Sequence, residues 1–169
     1  MFFLPKSGTT AGEYYTHAGG ASNYLCLPFE PLYNATESST HANRGLIYSA
    51  EMETSSAQDL TDMHDETPAC AICRAPRGRY ASLVVPGRNE CPDSKWRLEY
   101  KGYLMSAHHT NTKTKFVCVD REAEAVPGTT GSQNGALFYM VEGRCLSGGG
   151  VPCRPYVNGY ELTCAVCSI

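Results

Sequence analysis

The stretch LTCAVCSI, residues 162–169, is the part of the sequence that says most about the fold, and HDETPACAIC, residues 64–73, echoes it. Both stretches place a Cys-x-x-Cys between small apolar residues, which suits a buried strand better than a turn. The chain holds nine cysteines among 169 residues. Three uses would explain the two motifs, namely a tetrahedral zinc site, a redox centre or disulfide bonds.

Disulfide bonds are the interpretation that the local sequence favours. Zinc knuckles usually place each Cys pair on a tight turn, and a redox centre needs a reactive thiolate at the start of a helix. The residues between the cysteines are Ala-Ile and Ala-Val, which fit neither. We predict disulfides that join Cys70 and Cys73 to Cys164 and Cys167, Cys91 to Cys118, and Cys145 to Cys153. Cys26 is then left as a free or intermolecular thiol, although sequence alone does not establish connectivity.

The rest of the chain reads as short strands between Gly- and Pro-rich turns, with no amphipathic helix and one helical turn within residues 54–67. Strands are predicted within residues 24–33, 45–53, 69–73, 80–87, 96–109, 114–122, 135–143 and 160–167. We therefore predict a compact, disulfide-bonded, all-β fold, an antiparallel sandwich or barrel with long loops and little helix. It forms a single domain over residues 1–169, in which residues 1–13 are expected to be loosely ordered.

Composition and motifs narrow the class of function. The net charge of −3 gives no basic footprint for nucleic acid, and no apolar run is long enough to cross a membrane. Neither a GxSxG elbow nor an HExxH motif is present, and nothing places Glu51 and Glu53 across a glycosidic bond. We expect a protein that is not an enzyme. The cysteines and the sequon at Asn34 predict a secreted, glycosylated chain.

Five strings in order carry a family resemblance: AGGASNYLCLP (18–28), HDETPACAIC (64–73), VVPGRNECPDSKWRLEYKGYLMS (84–106), FVCVD (116–120) and VPCRPYVNGYELTCAVC (151–167). Residues 14–167 resemble the C-terminal non-collagenous domain of invertebrate short-chain, spongin-type collagens. They are also similar to small secreted sponge lectins of the Axinella kind. The resemblance implies an extracellular, disulfide-bonded, β-rich domain that forms trimers. Because the chain contains no Gly-X-Y tract, a lectin is expected rather than a matrix assembly module.

Two groups of residues are candidates for carbohydrate binding. The first is Asp93, Trp96, Arg97 and Glu99, where the one tryptophan of the chain is flanked by polar groups. Strand alternation would put Trp96, Leu98 and Tyr100 on one face, so core packing of Trp96 is the competing interpretation.

The second group is His64 and Asp65, which could bind sugar hydroxyls or cap a turn. No cofactor or metal is predicted, and Ca²⁺ is expected only if more carboxylates converge on Asp65. His108 and His109 are interpreted as an exposed turn, because adjacent residues of a strand point apart. The expected function is a multivalent lectin that binds galactose-type or N-acetylhexosamine-type glycans as a homotrimer or higher homo-oligomer. No nucleic-acid partner and no membrane span are expected.

Overall fold

The computed structural model describes residues 6–33, 42–57, 59–74, 76–145 and 148–169, so the sequon at Asn34 lies outside the described residues. The prediction of an all-β, disulfide-bonded fold is confirmed. The strands are β1 (Lys6–Gly12), β2 (Leu25–Pro28), β3 (Tyr48–Met52), β4 (Ala69–Ile72), β5 (Ser82–Pro86), β6 (Arg97–Ser106), β7 (Val117–Asp120), β8 (Ala136–Met140) and β9 (Thr163–Ser168). A single turn of 3₁₀ helix covers Thr61–Met63, within the segment predicted to hold one helical turn. No helix among the described residues is long and apolar enough to cross a membrane.

The strands form one mixed sheet that curls into a half-barrel. Its order is β2-β1-β3-β8-β6-β9-β5, with β4 also paired to β1 and β7 also paired to β6. All pairings are antiparallel except that of β3 with β8, which is parallel. The sequence predicted a purely antiparallel arrangement, and the parallel pair is the contact that joins the two halves of the sheet.

The expectation that residues 1–13 are loosely ordered is wrong for Lys6–Gly12, which form β1. This strand pairs with β2, β3 and β4. Its sequence, KSGTTAG, has no large apolar side chain, so it gives no strand signal. Small residues are needed here because neighbouring backbone approaches closely, and a Cβ on Gly8 would lie 2.0 Å from the carbonyl oxygen of Leu27.

The sheet contains the same four-strand arrangement twice. In the first half β1 lies between β2 and β4 and also pairs with β3, and in the second half β6 lies between β7 and β9 and also pairs with β8. The registers agree, since Cys70 is opposite Gly8 as Cys164 is opposite Gly102. The two Cys-x-x-Cys motifs are therefore the visible part of a structural repeat, and β5 is an additional edge strand on β9.

The disulfides follow this repeat rather than the predicted connectivity. The bonds are Cys26–Cys70, Cys91–Cys167, Cys118–Cys164 and Cys145–Cys153, and Cys73 is a free, exposed thiol. Only the predicted Cys145–Cys153 bond is confirmed. The other predicted bonds, and the free thiol at Cys26, are wrong because the two Cys-x-x-Cys strands do not lie side by side. The same bonds exclude a four-cysteine zinc site.

Two of the bonds use the same geometry. Cys26–Cys70 links the strands that flank β1, and Cys118–Cys164 links the strands that flank β6. The Cα atoms are 5.7 Å apart in both, within the usual range for a disulfide. Each bond therefore holds three neighbouring strands together across a central strand.

The core is divided between the two faces of the curled sheet. The larger cluster consists of Ala50, Met52, Ala57, Leu60, Met63, Met105, Ala136 and Phe138. The smaller cluster is built around Leu104, Cys118 and Cys164. Leu104 and Met105 are neighbours in β6 and serve opposite faces, as strand alternation requires. Because Met52 and Phe138 fill the larger core, alternation turns Glu51, Glu53 and Tyr139 to the other face, where the candidate site lies.

Candidate functional site

Three side chains converge beside β3. Glu53, His64 and Asp65 each bring one ligand atom to within 4.8 Å of the others. His64 lies between the two carboxylates, with Nδ1 3.8 Å from Glu53 Oε2 and Nε2 3.7 Å from Asp65 Oδ1. The prediction that singled out His64 and Asp65 placed them at a strand entrance, and the structure adds the carboxylate of Glu53. These residue types, an imidazole and two carboxylates, are able to bind a metal ion.

Backbone hydrogen bonds hold the three residues in register. The amide of Asp65 donates to the carbonyl of Met52 (2.9 Å), and the amide of Met52 donates to the carbonyl of Glu66 (2.9 Å). The segment around Asp65 therefore lies directly against the end of β3, next to Glu53. Asp65 has a positive φ of 60°. Aspartate tolerates this left-handed conformation better than most residues, so the turn is compatible with its sequence.

The surroundings of Glu53 disfavour the ionised form of its carboxyl group. Burial raises the pKa of Glu53, and the nearby carboxylates of Glu51 and Asp65 raise it further, against an opposing effect from His64. Glu51 is buried, and its Oε2 accepts hydrogen bonds from the amides of Gln133 (2.7 Å) and Asn134 (3.1 Å). Within the described residues, Glu51 Oε1 and His64 Nδ1 are buried without a hydrogen-bond partner.

A cleft of about 770 Å³ opens next to this cluster. Its lining combines aromatic rings with polar groups and includes Tyr139, His108, Phe116, Asn111, Lys113 and Glu142. The rings of His108 and Tyr139 are 5.1 Å apart between centroids. Burial raises the pKa of Tyr139, and the carboxylates of Glu53 and Glu51 add to that effect, so Tyr139, which lines the cleft, also lies near the acidic cluster.

A second set of aromatic rings lies near the cleft on the first half of the sheet. Tyr14 packs at 4.9 Å from each of Tyr15, His17 and Tyr48. The backbone of Tyr15 accepts a hydrogen bond from the amide of Thr112, which lines the cleft (2.9 Å). His17 is paired with the buried carboxylate of Glu13 at 3.0 Å. The first repeat therefore supports one wall of the cleft, while the second repeat supplies most of its lining.

The structure does not bring the Asp93–Glu99 group to this cleft. Arg97 pairs in register with Ser168, whereas the opposite end of β6, at Ser106, lines the cleft. Asp93 caps a turn, because its Oδ1 accepts a hydrogen bond from the amide of Lys95 (2.8 Å). Glu99 is held by Arg79 and by the hydroxyl of Ser168, and the Ser168 hydrogen bond is the main cause of its lowered pKa.

The alternation predicted around Trp96 is interrupted. The register shifts between Leu98 and Tyr100, so a β-bulge places Glu99 out of the regular pattern. Leu98 is exposed, whereas Tyr100 is half-buried and donates a hydrogen bond to the carbonyl of Cys118 (3.0 Å). Trp96 itself is half-buried. The prediction that Leu98 and Tyr100 share one face of the strand is therefore wrong, because one is exposed and the other is half-buried.

The sequence did not predict that Glu53 belongs to the acidic cluster or that Tyr139 and His108 line the cleft. Glu53 continues the alternation of β3, and Tyr139 stands in a run predicted as a strand, so neither carried a signal of its own. The pair His108 and His109 was interpreted as an exposed turn. His109 is exposed, but His108 is half-buried and both line the cleft.

Comparison with known proteins adds no family assignment. The chain matches no protein-family model, no curated protein sequence and no solved structure. The chemistry of the site must therefore be argued from its own residues.

Proposed function

We propose that this protein is a secreted carbohydrate-binding protein without catalytic activity, and that a sugar residue of the glycan sits in the cleft beside Tyr139. The observation that carries the proposal is a cleft of about 770 Å³ with aromatic rings and hydrogen-bonding groups on the same surface. Ligand sites commonly combine apolar and aromatic walls with a few placed polar groups, in volumes of about 300–1,000 Å³.

The lining matches the two faces of a pyranose ring. Tyr139, His108 and Phe116 offer flat apolar surfaces to the C–H face of the sugar. Asn111 and Lys113 offer hydrogen-bond donors, and Glu142 offers acceptors, to its hydroxyl groups. This arrangement supports a galactose-type sugar, whose C–H face is suited to stacking, with N-acetylhexosamine-type sugars as the next choice.

The disulfides support a location in an oxidising compartment. Four bonds in one chain are typical of secreted proteins and rare in the reducing cytosol. An extracellular lectin would gain from being a homotrimer, because three weak sites on one particle can raise the overall affinity by about 10²–10⁴. Extracellular glycans and glycoproteins are the partners that this proposal assigns.

A second candidate function is a trimerisation or matrix assembly module. The two strands that end the main strand order carry exposed apolar side chains, namely Leu25 in β2 and Leu83 and Val84 in β5. Phe29 and Leu32, which follow β2, are exposed as well. Apolar residues on sheet edges favour association with another chain. This surface would serve an assembly module with or without a sugar site.

A glycan array of the intact protein, with and without EDTA, tests the proposal. We expect binding to galactose-terminated glycans, and we expect Tyr139→Ala to weaken it at least about tenfold, which is ~1.4 kcal/mol. Tyr139→Phe keeps the ring and should retain most of the binding. Trp96→Ala is the matched aromatic control and should leave binding unchanged.

Other outcomes would redirect the assignment. A loss of binding in Trp96→Ala but not in Tyr139→Ala would move the sugar site to the group around Asp93. A protein that forms trimers in solution yet binds no glycan would favour the assembly module.

A further inference from the structure

We propose that Glu53, His64 and Asp65 form a binding site for a divalent transition-metal cation of the Zn²⁺ type, with Glu51 as a supporting carboxylate. The inference does not rest on glycan binding. It rests on the geometry of the three side chains, on buried polar atoms that lack partners, and on a contrast between the two halves of the sheet.

The geometry is close to that of a coordination shell. The three ligand atoms lie within 4.8 Å of one another. Donor atoms around a tetrahedral Zn²⁺ with bonds of about 2.0 Å are separated by roughly 3.3 Å. All three side chains are half-buried rather than fully enclosed, and the donors have to close by up to about 1.5 Å to reach that distance. Backbone hydrogen bonds of Met52 with Asp65 and Glu66 hold the end of β3 and the turn at Asp65 next to each other.

Two buried polar atoms point to a missing partner. His64 Nδ1 is buried without a hydrogen bond within the described residues, although it faces Glu53 at 3.8 Å. Glu51 is only 3% exposed, and its Oε1 is likewise without a partner. Strand alternation places Glu51 on the same face as Glu53, close enough for its carboxyl group to raise the pKa of Glu53. Buried polar atoms nearly always have a partner, so two orphans beside one cluster call for a specific ligand.

In the second half of the sheet, the carboxylate at the position equivalent to Glu51 is neutralised by an arginine side chain. Tyr48 of β3 is opposite Gly12 of β1, and Tyr139 of β8 is opposite Ser106 of β6, so the two tyrosines are equivalent in the repeat. Glu51 and Glu142 each follow their tyrosine by three residues and are therefore equivalent as well. Two residues further on, the first half has Glu53 and the second half has Arg144. Arg144 pairs with Glu142 at 2.6 Å. In the described part of the first half, His64 is the one basic side chain paired with Glu53 and Asp65.

The donor types choose between metals. Ca²⁺ and Mg²⁺ prefer shells made of oxygen, whereas imidazole nitrogen suits Zn²⁺ and its first-row neighbours. A site of one imidazole and two carboxylates leaves a fourth position for water, as in open zinc sites. Because Tyr139 lines the cleft and also lies near Glu53 and Glu51, a bound cation would also reduce the negative charge next to the cleft.

Calorimetric titration of chelator-treated protein with Zn²⁺ tests the inference. A Cys73→Ser background removes the exposed free thiol as a competing ligand. We expect one Zn²⁺ per chain and a raised Tm, with Ca²⁺ binding much more weakly. His64→Ala and Glu53→Gln should each weaken binding at least about tenfold, and Glu51→Gln roughly ten- to a hundredfold.

His17→Ala is the matched control, because His17 also lies beside a carboxylate but is already paired with Glu13. Zn²⁺ binding should be unchanged in this variant. If a variant does not fold, NMR of the parent chain serves instead, since Zn²⁺ should shift the imidazole resonances of His64 and not those of His17. Equal affinity in His64→Ala, tighter binding of Ca²⁺ than of Zn²⁺, or no stoichiometric Zn²⁺ would each overturn the inference.

Discussion

Single polar residues inside the sheet are stabilised when the fold gives them a partner, and Tyr24 is the clearest case. Its ring stacks on Phe138 with centroids 4.0 Å apart. Its hydroxyl donates to the carbonyl of Leu137 (2.8 Å) and also lies 3.1 Å from Thr114 Oγ1. Burial raises the pKa of Tyr24 to about 12. Glu51, by contrast, keeps one buried oxygen that has no hydrogen-bond partner among the described residues.

Tyr24→Phe should lower the free energy of unfolding by about 1–2 kcal/mol at neutral pH, because the carbonyl of Leu137 loses its donor. The folded pKa is raised above the ordinary value of 10.0, so the stabilisation is fully present below pH 10 and is lost as the pH rises towards 12. Urea unfolding of both proteins in the Cys73→Ser background measures this. A difference that stays constant from pH 8 to 11 would contradict the prediction.

At the scale of elements, β1 and β6 are central because each of them pairs with three other strands. β1 and β6 each carry a glycine where a neighbouring backbone comes close, and each is crossed by a disulfide between the strands beside it. The strand positions were largely predictable from apolar runs. β1 was not, since its small residues are selected by close backbone approach and not by burial of large side chains. The pairing partners depend on contacts between residues that are far apart in the chain, which local patterns do not encode.

Gly102→Ala should destabilise the protein by about 3 kcal/mol, because a Cβ at this position would lie 1.8 Å from the carbonyl oxygen of Val119 and push β7 away from β6. Chemical unfolding, followed by circular dichroism, gives the value. Gly45→Ala is the control, since nothing lies within 4 Å of a Cβ there. Similar small effects of the two substitutions would show that β6 and β7 are not packed as described.

At the scale of the whole molecule, the repeat determines which cysteine is left over. Cys73 holds the position in the first half that Cys167 holds in the second half. Cys167 is bonded to Cys91, which lies between β5 and β6. The first half has no bonded equivalent of Cys91 among its described residues, and Cys73 is therefore exposed and free.

Thiol titration of the denatured, unreduced chain should detect one free thiol, and mapping after alkylation should place the label on Cys73. The exposed thiol is also expected to form disulfide-linked dimers in oxidising solution, which Cys73→Ser should abolish on a non-reducing gel. A label on Cys26 would contradict the structure and restore the connectivity that the sequence suggested. Labels on several cysteines would contradict both.

The sequence by itself determined the local features of this protein: the strand-rich pattern, an abundance of cysteine that requires disulfides, the short Cys145–Cys153 bond, and the neighbouring pair His64 and Asp65. Each depends on residues close together in the chain. Only the tertiary structure decided the parallel contact of β3 with β8, the three long-range disulfides, and the meeting of Glu53 with His64 and of Tyr139 with His108. These contacts depend on strand register and on which strands pair, and a shift of one residue would turn Glu53 and Tyr139 to the opposite face.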